Sequence, residues 1–591
     1  MLGKRSDQRG LLEADHLYVD HVGRESFYGL LASMRGQLFR DEEFAKLYCP
    51  DNGRDSVPPS LVATVLLLQA YDKVSDAEAK QRADFDIRWK VALGIEVEDR
   101  PFAKSTLQLF RAHLILHEQA NEIFQRSLRF ARESGYLKGR RMKVALDTTN
   151  ILGRGAVKDT YNLLADGIVQ VAKALASLDG KSVKEWGLGH GLESYFGSSV
   201  KGEAGIDWDN KKERQAFLQQ IVADADRLLE LARRAQGRFE VESTERQQIG
   251  QAAELLGQLL LQDVERQEDG PVLKKGVSRD RVPSVHDPEM RHGRKSKSNR
   301  FDGHKAALAV DTDSQLVTAV GILPGNASDN TGALELVEQS EENTGIEVEE
   351  TIGDAAYGDG ATRQAFADAG RTLIAKVPAR PDKAHFPKED FHIDLEAATC
   401  TCPAGQTTQS LRVLNHRHNS SSGWKPAWSF VFDGRVCRGC DLRSQCIASK
   451  NGKGRTVSLH PQEALLQQAR ALQHSEVFTE YRERRQVVEH RLARLVQLGV
   501  RQARYFGRAK TLFQLLMAAT VANLTLVANK MGTTDGPGGQ ANALATAFLS
   551  IALKTAKTSA IHPIKLWLHR LSGPRLAHQS TAQDRAFQPD F

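Results

Sequence analysis

Six cysteines in 591 residues are too few for the disulfide framework of a secreted scaffold, which points to a reducing compartment. The first residues, Met1 to Glu13, are charged and lack the apolar stretch of a secretory signal. Long hydrophobic runs are scarce as well. The most apolar stretch, Thr511 to Val527, carries Gln514 and Asn523 and is shorter than the roughly 20 residues that cross a bilayer, so it reads as a buried helix with no membrane role. A strong excess of one charge sign is also missing: 80 Lys and Arg stand against 74 Asp and Glu, and a net +6 does not by itself demand nucleic acid. No internal repeat is present, which excludes a solenoid. What remains is ordinary globular composition, 41% hydrophobic and 26% charged, long enough for roughly three or four domains of about 150 residues.

Residues 15–137 read as helical. Pro58-Pro59-Ser60 starts an apolar helix through Leu61, Val62, Val65, Leu66, Leu67 and Leu68, and a turn follows at Asp72-Lys73-Val74. Ser75-Asp76-Ala77-Glu78 fits a capping box for the next helix, so the pair resembles a helix-turn-helix. A third helix from Ser105 carries Gln108, Arg111 and His113, residue types that meet bases and phosphates. A plain helical bundle is the alternative. At Arg140 the pattern changes to a short apolar run, Met142, Val144, Ala145 and Leu146, ending in Asp147. Helices are then expected over Thr160 to Leu178 and, as a charged antiparallel pair broken near Gly237, over Lys211 to Glu268. The stretch from Gly270 to Arg300 reads as loop. Strands return at His304 to Asp311, Leu316 to Leu323 and Val348 to Ile352, with helices at Asn330 to Glu341 and Asp359 to Ala369, which indicates a mixed α/β sheet. A β-containing, loop-rich segment with five cysteines runs to about Leu459, and a long helical region follows from Pro461 to about Met531. Gly532 to Gly539 reads as a linker, and one more apolar helix is expected over Asn542 to Leu553.

Three acids stand out by position: Asp147 after one apolar strand, Asp354 after another, and Glu489 within a helix, four residues after Arg485. At four-residue spacing Tyr481, Arg485 and Glu489 lie near one helical face. Two strand-end aspartates and a helix glutamate offer hard oxygen ligands for a pair of Mg²⁺ ions, about 3.5 to 4 Å apart in two-metal phosphoryl-transfer sites. Read singly, each aspartate could simply cap a turn and Glu489 could pair with Arg485 at the surface.

The acids do not stand alone. Asp51-Asn52-Gly53-Arg54, Leu146-Asp147-Thr148-Thr149, Arg294-Lys295-Ser296 with Phe301-Asp302-Gly303-His304-Lys305, Gly325-Asn326-Ala327-Ser328-Asp329, Ile352-Gly353-Asp354-Ala355-Ala356-Tyr357-Gly358, Val488-Glu489-His490, Ala503-Arg504-Tyr505-Phe506-Gly507 and Ala522-Asn523-Leu524 occur in this order. In these motifs the chain resembles the DDE-type transposases of bacterial insertion sequences, in the group with an InsH-like N-terminal domain. The resemblance covers roughly residues 15 to 530. It implies an RNase H-like mixed-sheet α/β core with the first Asp on the first strand, the second after the fourth and the Glu on a later helix, places that Asp147, Asp354 and Glu489 match. It also implies Mg²⁺ or Mn²⁺, cleavage of DNA at the element ends, and joining of the freed 3′ hydroxyls to a target without a covalent enzyme intermediate. The glutamate helix departs from the family pattern: Tyr481 to Arg485 is one residue too long, and Val496 stands where a Lys is expected.

The run from Arg291 to Arg300 contains no acid, and its Arg294, Lys295, Lys297 and Arg300, with Lys305, Tyr481, Arg485 and Arg111 elsewhere, are expected to contact DNA. Arg484, Arg501, Arg504 and Arg508 add positive charge around the catalytic helix, some of it balancing nearby acids. Cys400, Cys402, Cys437, Cys440 and Cys446 include a Cys-x-x-Cys, and four of the five thiolates would suffice for a tetrahedral Zn²⁺; reduced, unliganded cysteines are the alternative. Cys49 stands apart and reads as a small core residue. Trp424 and Trp428 could stack on a displaced base, although packing is the simpler role.

The expected organisation is a helical DNA-binding domain over 15–137, a core assembled from 138–180, 276–377 and 461–531, a helical insertion over 181–275, a β-rich cysteine-containing insertion over 378–460, and a linker and tail over 532–591. The expected setting is cytoplasmic and nucleoid-associated, with double-stranded DNA as partner and a homodimer formed on it. Two other readings stay open: a catalytically inactive descendant that only binds DNA, and an RNase H-like nuclease that cuts without strand transfer.

Overall fold

The computed structural model describes residues 1–6, 10, 12–296, 298–378, 385–417, 424–448 and 452–532. Lys297, most of the predicted linker and the predicted tail helix lie outside the described residues.

Seven helices open the chain: α1 (Ala14–Val22), α2 (Phe27–Leu38), α3 (Pro59–Asp72), α4 (Asp76–Phe85), α5 (Ile87–Leu93), α6 (Lys104–Leu116) and α7 (Ala120–Glu133). Proline in the first turn of α3 and Lys73 in the left-handed conformation just past its end mark both boundaries that the sequence predicts. Half of the capping box forms, because the Ser75 hydroxyl accepts from the Glu78 N–H while the Glu78 carboxylate turns to Arg82. α3 and α4 follow one another across the expected turn, while α5, N-capped by Asp86, stands between α4 and the third expected helix, α6.

The central sheet follows. Strand β1 (Arg141–Leu152) lies between the antiparallel β5 (Arg300–Asp311) and the parallel β7 (Glu347–Ile352). Beyond β7 comes the parallel β8 (Thr372–Ile374). On the far edge of β5 lie β6 (Val317–Pro324) and β4 (Arg291–Arg294), both antiparallel. Two expectations change here. Asp147 lies inside β1, not at its end, because the polar Thr148, Thr149 and Asn150 continue the ladder with β5 as far as Leu152 opposite Gly303. The basic run is not a loop but a hairpin, with Arg291 to Arg294 paired to Arg300 to Gly303.

Between β1 and β4 the chain builds α8 (Thr160–Leu178), two short helices α9 (Val183–Leu188) and α10 (Val200–Glu203), and the long pair α11 (Lys211–Gln236) and α12 (Thr244–Asp263). A hairpin of β2 (Val264–Gln267) and β3 (Gly270–Leu273) replaces the expected end of the helix. These helices have a core of their own, in which Ile168 and Val171 of α8 meet Ile221, Leu228 and Leu256. After β6 come α13 (Ala333–Thr344) and α14 (Gly360–Asp368), and after the cysteine-containing segment come α15 (Gly434–Arg438), α16 (Arg443–Cys446), α17 (Glu463–Gln473), α18 (Val477–Gln497) and α19 (Arg508–Gly532).

By length and apolarity α19 could cross a membrane, but 83% of its most apolar window is buried inside the protein. It packs against α3, α6, α7, α18 and β6. Its Asn523 side chain accepts from the Val317 N–H and donates to the Val317 carbonyl, both at 2.9 Å, satisfying buried backbone groups at the start of β6. One continuous hydrophobic core thus runs from Phe27 and Leu66 of the N-terminal helices through Leu146 and Leu308 of the sheet to Leu516 and Val527.

Candidate active site

Asp147 follows the buried centre of β1, Val144 to Leu146; it is paired with Leu308 of β5 but lies beyond Ala145, the last β1 residue paired with β7. One of its oxygens accepts from the Thr148 N–H at 2.7 Å. Asp354 comes from the neighbouring strand, at the first turn after β7. Gly353 precedes it, and a Cβ there would lie 2.8 Å from the Tyr357 ring, so a side chain would block the turn. One Asp354 oxygen accepts from the Ala356 N–H at 2.8 Å, capping the short turn Ala355–Tyr357. Glu489 is presented by α18, whose Val488, Leu492 and Leu495 are buried and seat the helix against the sheet.

Arg485 lies between two of the acids. Its guanidinium contacts Asp147 at 3.4 Å and also pairs with Glu489 one helical turn on. Burial, together with the negative charges of Asp354 and Glu489, pushes the Asp147 carboxyl from the ordinary 3.8 up to about 6, against the opposing pull of the Thr148 N–H and Arg485. The charges of Asp354 and Glu489 thus reach Asp147, although the oxygens of the three acids are not drawn together to ligand spacing. Among the described residues only Glu13, Asp15 and His16 hold three donor atoms within 4.8 Å of one another, and Arg35 already pairs with the first two.

A cleft opens beside Asp354. Its walls include Lys376, Tyr481, Arg482 and Arg485, so one acid is faced by three cations. Lys376 and Arg482 escaped the sequence reading because isolated basic residues carry no periodic signal. Two further groups were quoted there only as parts of motifs. Asp329 accepts from the Thr148 hydroxyl at 2.8 Å and from the Lys305 ammonium at 2.7 Å. Tyr357 is buried with its hydroxyl unpartnered among the described residues, and burial with the charges of Asp147, Asp329 and Asp354 pushes its ionisation well up.

The expected DNA contacts divide into two groups. Arg294, Lys295 and Arg300 are exposed on the β4–β5 hairpin. Arg111 is a correction: it is fully buried, paired with Asp76 at 2.7 Å and Gln69 at 3.1 Å, and lies over the Tyr505 ring. The outward positions of α6 include Leu109 and Leu116 instead. Lys305 is corrected likewise, because its ammonium is turned inward to Asp329 and the Ala327 carbonyl. Tyr481 donates to Glu350 at 2.9 Å while lining the cleft. Arg484 and Arg508 pair with Glu480 and Glu289, and Arg501 donates to Thr149 and Asn150.

Of the cysteines, Cys402, Cys437, Cys440 and Cys446 line one cavity, whereas Cys400 is buried in the adjoining core and takes no part in its wall. Cys49 is exposed, contrary to the expectation of a core position. Trp428 is 56% exposed on its strand, and the Trp424 side chain lies outside the described residues.

Comparison with protein families gives two matches. Residues 18–113 match a model described as Transposase domain (DUF772), and residues 401–528 match one described as Transposase DDE domain. The second match contains the cysteine cavity, Arg485 and Glu489, but neither Asp147 nor Asp354. No curated protein and no solved structure matches the chain. One transposase model on the N-terminal helices and another on the segment that carries the glutamate helix together support a DDE-type transposase of an insertion-sequence family.

Proposed function

We propose that this transposase cleaves DNA at the terminal inverted repeats of its element and joins the 3′ hydroxyls to target DNA, with Asp147, Asp354 and Glu489 as the catalytic acids. The observation that carries this reading is the perturbation of Asp147. Its charge is penalised by burial and by the neighbouring charges of Asp354 and Glu489, Arg485 bridges it to Glu489, and a divalent cation would relieve the penalty on Asp147. The donor set is all carboxylate oxygen, which suits Mg²⁺ or Mn²⁺. When bound, such ions activate the attacking hydroxyl and stabilise the leaving oxygen of an in-line displacement.

The chain's own groups do the rest. The N–H groups of Thr148 and Ala356 each hold one oxygen of Asp147 and Asp354, leaving the second oxygen of each as the ligand-bearing one. Arg485, Arg482 and Lys376 line the approach for a phosphodiester backbone, and the Arg485 guanidinium can exchange its carboxylate partners for phosphate oxygens. Sheet order supports an RNase H-like core: an antiparallel β6-β5-β1 trio continues into parallel β7 and β8, with Asp147 on the first strand and Asp354 after the strand beside it. The exposed arginines and lysine of the β4–β5 hairpin fit a backbone contact. Since two element ends must meet, the active form on DNA contains at least two copies.

The test uses labelled duplexes taken from the DNA flanking the coding sequence, a supercoiled target plasmid, and Mg²⁺ or Mn²⁺. Joined products are expected from the parent and should fall about a hundredfold or more in Asp147→Asn, Asp354→Asn and Glu489→Gln, the several kcal/mol that metal-assisted charge stabilisation provides. Cut but unjoined ends would replace the proposal with a nuclease. Binding without cutting would replace it with a DNA-binding descendant.

A further inference from the structure

We propose that Cys402, Cys437, Cys440 and Cys446, without Cys400, form a structural zinc site that holds the cysteine-containing segment together. Each thiol is delivered by a tight local structure. Cys402 opens the turn Cys402-Pro403-Ala404-Gly405, closed by the Gly405 N–H on the Cys402 carbonyl at 2.8 Å, with Gly405 at a positive φ that its missing side chain permits. Cys437 lies on α15, Cys440 begins the next turn, with its carbonyl accepting from the Arg443 N–H at 3.0 Å, and Cys446 ends α16. All four line one cavity, whose other walls include Phe386, Phe432 and Leu442, although no three of the sulfurs lie within 4.8 Å of one another.

Three features favour a metal over four idle thiols. Among the described residues the cavity wall offers no carboxylate and no imidazole, so the donor set there is all sulfur, the set that selects tetrahedral zinc. Two arginines flank it: Arg443 donates to the Cys437 carbonyl at 3.2 Å, and Arg455 to the Cys446 carbonyl at 2.7 Å. They supply the positive charge that a four-thiolate zinc centre, doubly negative, requires. The segment also has little else to hold it. Among the described residues its hydrophobic core buries Phe391, Ile393, Cys400, Phe430, Phe432 and Val457, and its short strands form two three-stranded sheets. Small β-rich modules of this kind depend on a staple, and the described cysteines are all free of disulfides. Cys400 is excluded by position, since it sits within a strand inside that core.

Binding draws the four sulfurs to about 3.8 Å from one another, the edge of a tetrahedron with Zn–S near 2.3 Å. The experiment takes the full chain, purified in reductant without chelator. Elemental analysis should find one zinc per chain, and the same protein refolded with Co²⁺ alone should show the visible d–d bands and the sulfur-to-metal charge transfer of a tetrahedral thiolate site. Cys437→Ser and Cys440→Ser should each lose at least tenfold in zinc affinity, while Cys400→Ala and Cys49→Ser keep full occupancy. The cobalt spectrum of the unmutated chain answers the question even where a variant fails to fold. Absence of zinc with a Cys437–Cys440 disulfide, octahedral cobalt, or zinc lost on replacing Cys400 and kept on replacing Cys440 would each overturn the proposal. It does not depend on the catalytic acids, and strand-transfer failure would leave it intact.

Discussion

Replacing Asp147 with Asn should stabilise the metal-free protein while abolishing its chemistry. The folded site raises this carboxyl from 3.8 to about 6. Between those values the native state binds more protons than the unfolded chain, so stability falls as pH rises through the window and the loss is complete above about pH 6. A rise of this size corresponds to about 3 kcal/mol at neutral pH. Asparagine keeps the shape and carries no charge, so the gain should be near zero at pH 3.5 and approach that figure by pH 7.5, a figure already net of the Arg485 interaction. Urea denaturation of parent and variant in EDTA, compared pH by pH, cancels every other titrating group. Addition of Mg²⁺ should then reverse the order, stabilising the parent and leaving the variant nearly unchanged. A variant less stable than the parent by the same amount at every pH would refute the argument, because Asp147 would then be a structural hydrogen-bond partner and not a strained charge.

Other outcomes follow from the same geometry. Arg485→Gln should bind Mg²⁺ several-fold more tightly in the absence of DNA, by calorimetry, since the ion no longer displaces a guanidinium from Asp147 and Glu489; weaker binding would show that the arginine prepares the site instead. Arg111→Met should cost about 3 to 5 kcal/mol in denaturation, as expected when one partner of a buried pair is removed, with Asp76 left behind; an unchanged midpoint with weaker DNA binding would restore the DNA-contact role. Replacing Arg294, Lys295 and Arg300 with Ala should weaken duplex binding at low salt and flatten the log–log salt dependence by about 2.7, or about 0.9 for each phosphate no longer neutralised; an unchanged slope in fluorescence anisotropy would remove the hairpin from the interface. Lowering the pH from 7.5 to 5.5 should weaken Mg²⁺ binding by the parent, because Asp147 gains its proton below about 6; pH-independent affinity would count against Asp147 as a ligand.

How much of this was written in the sequence depends on the kind of signal. The order of strands and helices was legible because apolar periodicity reports burial directly: Val488, Leu492 and Leu495 mark the inner face of α18 whatever the helix does. Asp147 and Asp354 were legible as acids beside apolar runs, but polar Thr148 to Asn150 looked like the end of β1 when pairing with β5 carries the strand onward. Charged residues misled most. Arg111 and Lys305 carry the same side chains as surface residues, and nothing local says that Asp76 and Gln69, or Asp329 and the Ala327 carbonyl, wait inside to receive them. The basic run read as a loop because an exposed edge hairpin has no apolar face to show period two. Convergence of four cysteines and exclusion of the fifth required tertiary structure, since spacing treats Cys400 and Cys402 alike.

One unbroken core joins the N-terminal helices, the sheet and α19. Were a duplex gripped by the helices, the place of scission would be measured off by the scaffold, as a jig sets the distance between clamp and blade. Sliding the recognised repeat by a single base pair along the duplex would bring a phosphate about 3.4 Å away under the acids, and the cut would move with the repeat.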